Sequence, residues 1–139
     1  MSLENELFQR ILEIALPWYV EAVDTAPGSR EVHVYLVHED TAKWVCAQCG
    51  DPCTLYDHQN ERQWRDLELL RKRTILHAEP PRVKCGVHGV RVAALPWARP
   101  LSRFTTRLEA FVTELLKRTD ARAVASLLDL SSEEVSSII

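Results

Sequence analysis

Two matched knuckles constrain this chain more than any other feature. Cys46-Ala47-Gln48-Cys49-Gly50 and Cys85-Gly86-Val87-His88-Gly89 each carry two ligand-type side chains separated by two residues, with glycine directly after. That spacing lets both side chains of a knuckle reach one ion. The glycine permits a positive-φ return that aims backbone amides at the thiolates. Two such pairs make a closed Cys3His tetrahedron, which suits one zinc ion in a structural role, because no position is left open for water. Cys53 leaves an alternative: it could replace His88 in a four-cysteine set, or be a small buried hydrophobe. Only Cys46, Cys49, Cys85 and His88 give two equivalent knuckles. A further alternative, four unliganded buried thiols, makes the repeat a coincidence. The 35 residues between Cys49 and Cys85 exceed a usual zinc-ribbon gap, so an extra strand or hairpin must fill it.

A chain of 139 residues, 46% hydrophobic, can bury one ordinary core, or two small ones if a metal helps. No apolar run is long enough for a membrane span and no signal-peptide pattern opens the chain. Four cysteines without a secretory signal point to a reducing cytoplasm, where paired thiols hold metal. The net charge of −3 conceals a segregation. Residues 61–107 carry eleven basic and four acidic side chains, whereas residues 1–60 carry three basic and ten acidic. A basic middle in an acidic protein marks a polyanion-binding face, or else arginines that pair with the acidic half.

Leu7, Phe8, Ile11, Leu12 and Ala15 predict a helix ended by Pro17. Trp18–Asp24 and Glu31–Val37 read as a hairpin across Ala26-Pro27-Gly28-Ser29, with Val32, Val34 and Leu36 on one face and His33 and Tyr35 on the other. His33 and His38 lack a paired ligand pattern and read as strand-surface residues. Helix and hairpin are expected to pack as a small layer beside the zinc site. Arg62–Leu67 and Arg73–His77 are expected as two strands of the ribbon itself, and Val90–Ala93 as a short strand after the second knuckle. Zinc should contribute much of the ribbon's folding free energy.

Pro96–Arg103 holds two prolines and no periodicity, and predicts an extended linker with Arg99, Arg103 and Arg107 as its basic edge. Thr106 with Glu109 suggests a capping box for a helix whose core stripe is Leu108, Phe111, Val112, Leu115 and Leu116. Asp120 can cap a short helix buried through Ala123, Val124, Leu127 and Leu128. A tight turn at Asp129-Leu130 follows, and Ser131 with Glu134 caps a second helix containing Val135, Ile138 and Ile139. Short helix, tight turn and capped second helix make a helix-turn-helix pattern, which generic two-helix packing would also fit. The chain stops two turns into that second helix, so a fragment of a longer protein is expected.

Trp64-Arg65-Asp66-Leu67, Ile75-Leu76-His77-Ala78, Pro81–Val90 and Leu95-Pro96-Trp97-Ala98-Arg99, with the Pro17-Trp18 strand and the first knuckle before them, together resemble the N-terminal region of ISL-three family insertion-sequence transposases. The resemblance implies a zinc-binding domain followed by a helix-turn-helix, with Cys46, Cys49, Cys85 and His88 as the zinc ligands. It also implies that the full-length protein recognises terminal inverted repeats on double-stranded DNA. The acidic-triad nuclease domain of that family has no counterpart here, and no nucleophile–base pair replaces it, so the chain is expected not to be an enzyme.

The expected fold class is α+β. Residues 1–98 would form a zinc-ribbon-containing domain with an N-terminal helix and β-hairpin, and residues 99–139 the linker and a truncated helix-turn-helix segment. Two functional classes follow. In a DNA-binding module, Arg99, Arg103 and Arg107 hold phosphates while Ser132 and Ser136 sit on the reading helix. In the alternative, the zinc ribbon is a protein-interaction module that dimerises the protein. Neither class calls for a membrane or a small-molecule substrate, and both place the protein in a bacterial cytoplasm, associated with the nucleoid.

Overall fold

Helix α1 (Leu3–Ile11) opens the fold on Ser2, whose hydroxyl accepts from the Asn5 amide at 3.1 Å. Glu4 and Glu6 in its first turn and Arg10 in its last suit the helix dipole. In this computed structural model, which describes residues 2–69 and 71–139, α1 stops at Ile11 rather than at Pro17. Glu13 takes a left-handed φ of 55° and turns the chain early. The expected stripe is therefore split: Phe8 and Leu12 are buried, whereas Leu7 and Ile11 face out.

Strands β1 (Trp18–Asp24) and β2 (Glu31–His38) form the expected antiparallel hairpin. Val32, Val34 and Leu36 are buried, while His33 and Tyr35 lie on the opposite face, as a period of two requires.

The main departure lies between the knuckles. Strands β3 (Trp44–Val45) and β4 (Pro52–His58) frame the first knuckle, and neither was legible in the sequence, because β4 lacks a clean apolar alternation. Strands β5 (Arg62–Leu69) and β6 (Lys72–Ala78) are not part of the ribbon. They join the N-terminal hairpin in a sheet of order β1-β2-β6-β5, with β2 and β6 parallel. The reason is burial. Trp64, Leu76 and Ala78 need a deep apolar layer, and they find it with Phe8, Trp18, Val20, Val32, Val34 and Leu36. Strands β7 (Pro81–Cys85) and β8 (Gly89–Val92) complete a second sheet, β3-β4-β7-β8, which holds both knuckles.

Pro96–Arg103 is not an extended linker. Trp97 and Ala98 belong to the first core, and the Trp97 ring meets Trp18 at 4.8 Å and Trp64 at 5.4 Å, edge to face in both cases. Residues 103–105 then run along the edge of β5: the Arg65 amide donates to the Arg103 carbonyl at 2.9 Å, and the Thr105 amide to the Arg65 carbonyl at 3.0 Å. An otherwise open sheet edge is thereby covered.

Helices α2 (Thr106–Leu116), α3 (Ala121–Leu128) and α4 (Ser132–Ile138) enclose a second core of Phe104, Leu108, Val112, Val124, Leu130 and Val135. The cap of α2 is Thr105, whose Oγ1 accepts from the Leu108 amide at 3.3 Å; the expected box of Thr106 and Glu109 does not form. Glu109 is instead drawn to Arg99. Phe111, Ala123 and Leu127, all assigned to buried stripes, are exposed. The remaining signals hold. Asp120 caps α3 through the Ala123 amide at 2.8 Å, and Asp129 ends it with φ 53°. Ser131 and Glu134 form the reciprocal box at 3.0 and 2.9 Å.

Candidate metal centre and nucleic-acid interface

Each knuckle is the turn of a hairpin. In the first, the Cys46 amide donates to the Asp51 carbonyl at 2.9 Å and the Gly50 amide to the Cys46 carbonyl at 2.8 Å. In the second, Cys85 pairs with Gly89 across β7 and β8. Gly50 and Gly89 take φ of 75° and 71°, the left-handed return that the trailing glycines predict. The Gln48 amide points at Cys46 Sγ and the Val87 amide at Cys85 Sγ, each at 3.4 Å.

The β4–β7 pairing brings the two turns together. The ligand atoms of Cys46, Cys49, Cys85 and His88 all lie within 4.8 Å of one another. Cys49 Sγ and Cys85 Sγ are 3.7 Å apart, and His88 Nδ1 is 3.6 Å from Cys46 Sγ and 3.7 Å from Cys85 Sγ. A zinc tetrahedron with Zn–S of about 2.3 Å and Zn–N of about 2.0 Å has S···S edges of about 3.8 Å and S···N edges of about 3.6 Å. The four side chains fit one zinc ion, with His88 presenting Nδ1. Cys53 stands outside the quartet, its thiol directed at the Asp51 carbonyl at 3.4 Å.

The thiols are tuned unequally. The backbone amides of His88 and Val87, then the His88 imidazole, push Cys85 down to about 6. Cys46 is lowered by the amides of Cys49 and Gln48. At Cys49 the Asp51 amide acts to lower the value, but burial and the thiols of Cys85 and Cys46 outweigh it and push the group up to about 11. His88 is raised, first by Cys85 and then by Cys46. Two sulfurs are thus predisposed to the thiolate form that zinc requires.

The basic segment is disposed differently from its linear spacing. Arg99 grips Glu109 with Nε at 2.8 Å and Nη2 at 2.6 Å. Arg107 places Nε and Nη2 on buried Asp66, both at 2.8 Å, and Nη1 on the Ile11 carbonyl at 3.1 Å. The three arginines therefore form no continuous basic edge; of them only Arg103 is exposed without a side-chain partner among the described residues. Ser132 and Ser136 are exposed on α4. The loop Arg99–Arg103 and Ser137 of α4 line one cleft of about 240 Å³.

Sequence reasoning missed the two arginines that fasten this unit to the sheet. Arg65 donates to the Leu128 carbonyl and, at 2.8 Å, to that of Asp129, while Arg73 is ion-paired with the Asp129 carboxylate. A guanidinium at the C-terminus of α3 meets both orphan carbonyls and the negative end of the helix dipole. Arg65→Ala is expected to lower stability by about 2 kcal/mol in urea titrations and to speed amide exchange in α3 and α4, leaving bound zinc unchanged. The histidines outside the quartet are paired with one another: His33 Nδ1 with His77 Nε2 at 2.7 Å, and His38 Nε2 with His58 Nε2 at 2.8 Å.

Comparison with known proteins agrees with this division of labour. Residues 42–88 match the zinc-finger of transposase IS204/IS1001/IS1096/IS1165, and residues 93–139 match the helix-turn-helix domain of transposase family ISL3. The chain thus belongs, over these two stretches, to the zinc-ribbon and helix-turn-helix region of the ISL3 transposases. It is similar to the transposase for insertion sequence element IS1557 of Mycobacterium tuberculosis, 35% identical over 68% of this chain and 21% of that protein, in each of two strains. It is also 33% identical to the transposase for insertion sequence element IS1001 of Bordetella parapertussis, over 81% of this chain and 27% of that protein. The chain therefore spans about a quarter of the length of these curated relatives. No solved structure matches it.

Proposed function

We propose that these residues recognise the ends of a mobile element, binding double-stranded DNA at its terminal inverted repeats as the recognition part of a transposase. The observation that carries this reading is the unit α3–turn–α4. Val124, Leu130 and Val135 lock the two helices together, Ser132 and Ser136 are exposed on α4, and Ser137 of the same helix lines a cleft with the Arg99–Arg103 loop. In this reading α4 enters the major groove, Ser132 and Ser136 approach base edges, and Arg103 with Arg99 holds phosphates. Arg107 supports the arrangement instead, its guanidinium taken up by Asp66 and the Ile11 carbonyl, whereas Arg99 stays more than half exposed beside Glu109. Strand β5 of the first sheet backs the unit through Arg65 and Asp66, and zinc holds the neighbouring ribbon. The reading divides the chain at residues 98 and 99, with Trp97 and Ala98 in the first core and Phe104 in the second. It places the protein at the bacterial nucleoid; no helix among the described residues is long and apolar enough to cross a membrane.

The test is a salt titration of binding to the inverted-repeat duplex and to a scrambled duplex. Arg103→Ala should flatten the slope of log affinity against log salt by about 0.9, equally for both duplexes. Changes at Ser132 or Ser136 should instead narrow the gap between them. A slope unaltered by Arg103→Ala and Arg99→Ala would move the DNA site off this loop. Val45, Tyr56 and Val87, exposed on the ribbon, favour the second reading, in which the ribbon is a protein-interaction module.

The same reading gives these 139 residues no nuclease role. Among the described residues the zinc quartet is the only group of three or more ligand-type side chains that could hold a metal. A polypeptide of this sequence should neither nick nor join DNA with magnesium or manganese present. Strand transfer by pure material would contradict this.

A further inference from the structure

Helix α1 presents an apolar row to solvent although Phe8 and Leu12 already anchor it in the core. Its inward side is anchored by polar side chains. Asn5 Nδ2 donates to the Glu21 carbonyl at 2.8 Å; Gln9 Nε2 donates to the Ile14 and Trp18 carbonyls at 2.6 and 3.2 Å, and its Oε1 accepts from the Val20 amide at 2.7 Å. Arg107 holds the C-terminal end through the Ile11 carbonyl. With Phe8 and Leu12 buried beneath, these bonds fix which way the helix faces. Outward it presents Leu3, Leu7 and Ile11, which are 83%, 54% and 37% exposed. Spaced at i, i+4 and i+8, the three form one row along the helix. Glu6 and Arg10, also four apart, flank that row on one side. Among the described residues neither forms an ion pair within its own chain.

We propose that this row is the contact by which two copies of the chain associate, with their α1 helices antiparallel about a two-fold axis at Leu7. An isologous contact must be complementary to itself, and this face is. The two-fold sets Leu7 against its own equivalent and Leu3 against Ile11 of the other copy. It also brings Glu6 to Arg10, and Arg10 to Glu6. A parallel pairing would put the two Glu6–Arg10 flanks on opposite sides of the contact, where they could not meet. A nine-residue helix offers less than a standard interface of about 1,600 Å², so the association is concentration-dependent rather than obligate.

Sedimentation equilibrium on the zinc-loaded chain, without DNA, tests this independently of the DNA reading. A monomer–dimer equilibrium is expected. Leu7→Glu, which puts two carboxylates on the axis, should weaken it about 100-fold. Arg10→Glu should weaken it about tenfold, and the exchanged pair Glu6→Arg with Arg10→Glu should restore it to within a few-fold of the original. Should Leu7→Glu fail to fold, the two charge variants decide alone. A chain monomeric at all accessible concentrations overturns the proposal. So does a dimer indifferent to Arg10→Glu, including one lost instead in Val87→Glu, which would place the contact on the ribbon.

Discussion

Cys85→Ser should reduce bound zinc from about one equivalent to near zero, because a closed four-ligand site cannot lose a thiolate and keep its geometry. The consequences should be confined at first to the second sheet. Three of the four tryptophans, Trp18, Trp64 and Trp97, are buried in the first core, while Trp44, half-buried on β3 beside the knuckle, packs against that core from the ribbon side. Emission from Trp44 should shift to the red as the ribbon loosens, with the other three little changed. Cys53→Ser should leave the metal in place, since its sulfur stands outside the quartet. Acid should act in the same direction, because every ligand must be deprotonated to bind. The Cys85 value lies below its ordinary 9.0, at about 6. The stability linked to its thiolate is therefore complete above pH 9 and is lost as pH falls through about 6. Bound zinc holds its thiolates to lower pH still, so zinc release is expected only below that range.

Asp66→Ala should cost about 3–5 kcal/mol in urea titrations, the largest effect expected away from the metal. The carboxylate is 2% exposed and accepts four hydrogen bonds: from its neighbour Leu67 N at 2.8 Å, from Thr105 Oγ1 at 2.7 Å, and from Arg107 Nε and Nη2. Removing it takes the charge partner from the Arg107 guanidinium and the acceptor from the Thr105 hydroxyl at the place where α2 meets β5. Asp66→Asn keeps one acceptor and should cost less. Both variants should retain zinc, which separates this junction from the ribbon. If Asp66→Ala proved neutral, the sheet and the helical unit would be held together by other contacts.

What the sequence disclosed, and what it hid, follow from the range of the interactions. The knuckles, the hairpin of β1 and β2, and the caps at Asp120 and Ser131 are local patterns, and each appears where its spacing puts it. The partner of β6 is not local. Its parallel pairing with β2 joins Arg73–His77 to Glu31–Tyr35 across some forty residues, and nothing in either run says which sheet will take it. Trp97 was obscured by its two flanking prolines, which exclude a helix but not burial. The charged residues were harder still. Arg65, Arg73, Arg99 and Arg107 look like a basic tract in one dimension, yet each closes on an acceptor far along the chain or a helical turn or more away. Arg103 has the same side chain and similar neighbours, and only the fold leaves it free.

The central claim is that the helix-turn-helix unit reads DNA from the platform of the zinc-bearing domain. Its most direct test is fluorescence anisotropy of the zinc-loaded chain with the element's inverted-repeat duplex and with a scrambled duplex of equal length, at several salt concentrations. The account predicts tighter binding to the inverted repeat at every salt, with affinity for both duplexes falling linearly in log–log form as salt rises. Equal affinity for the two duplexes, or no binding to either at low salt, would contradict it.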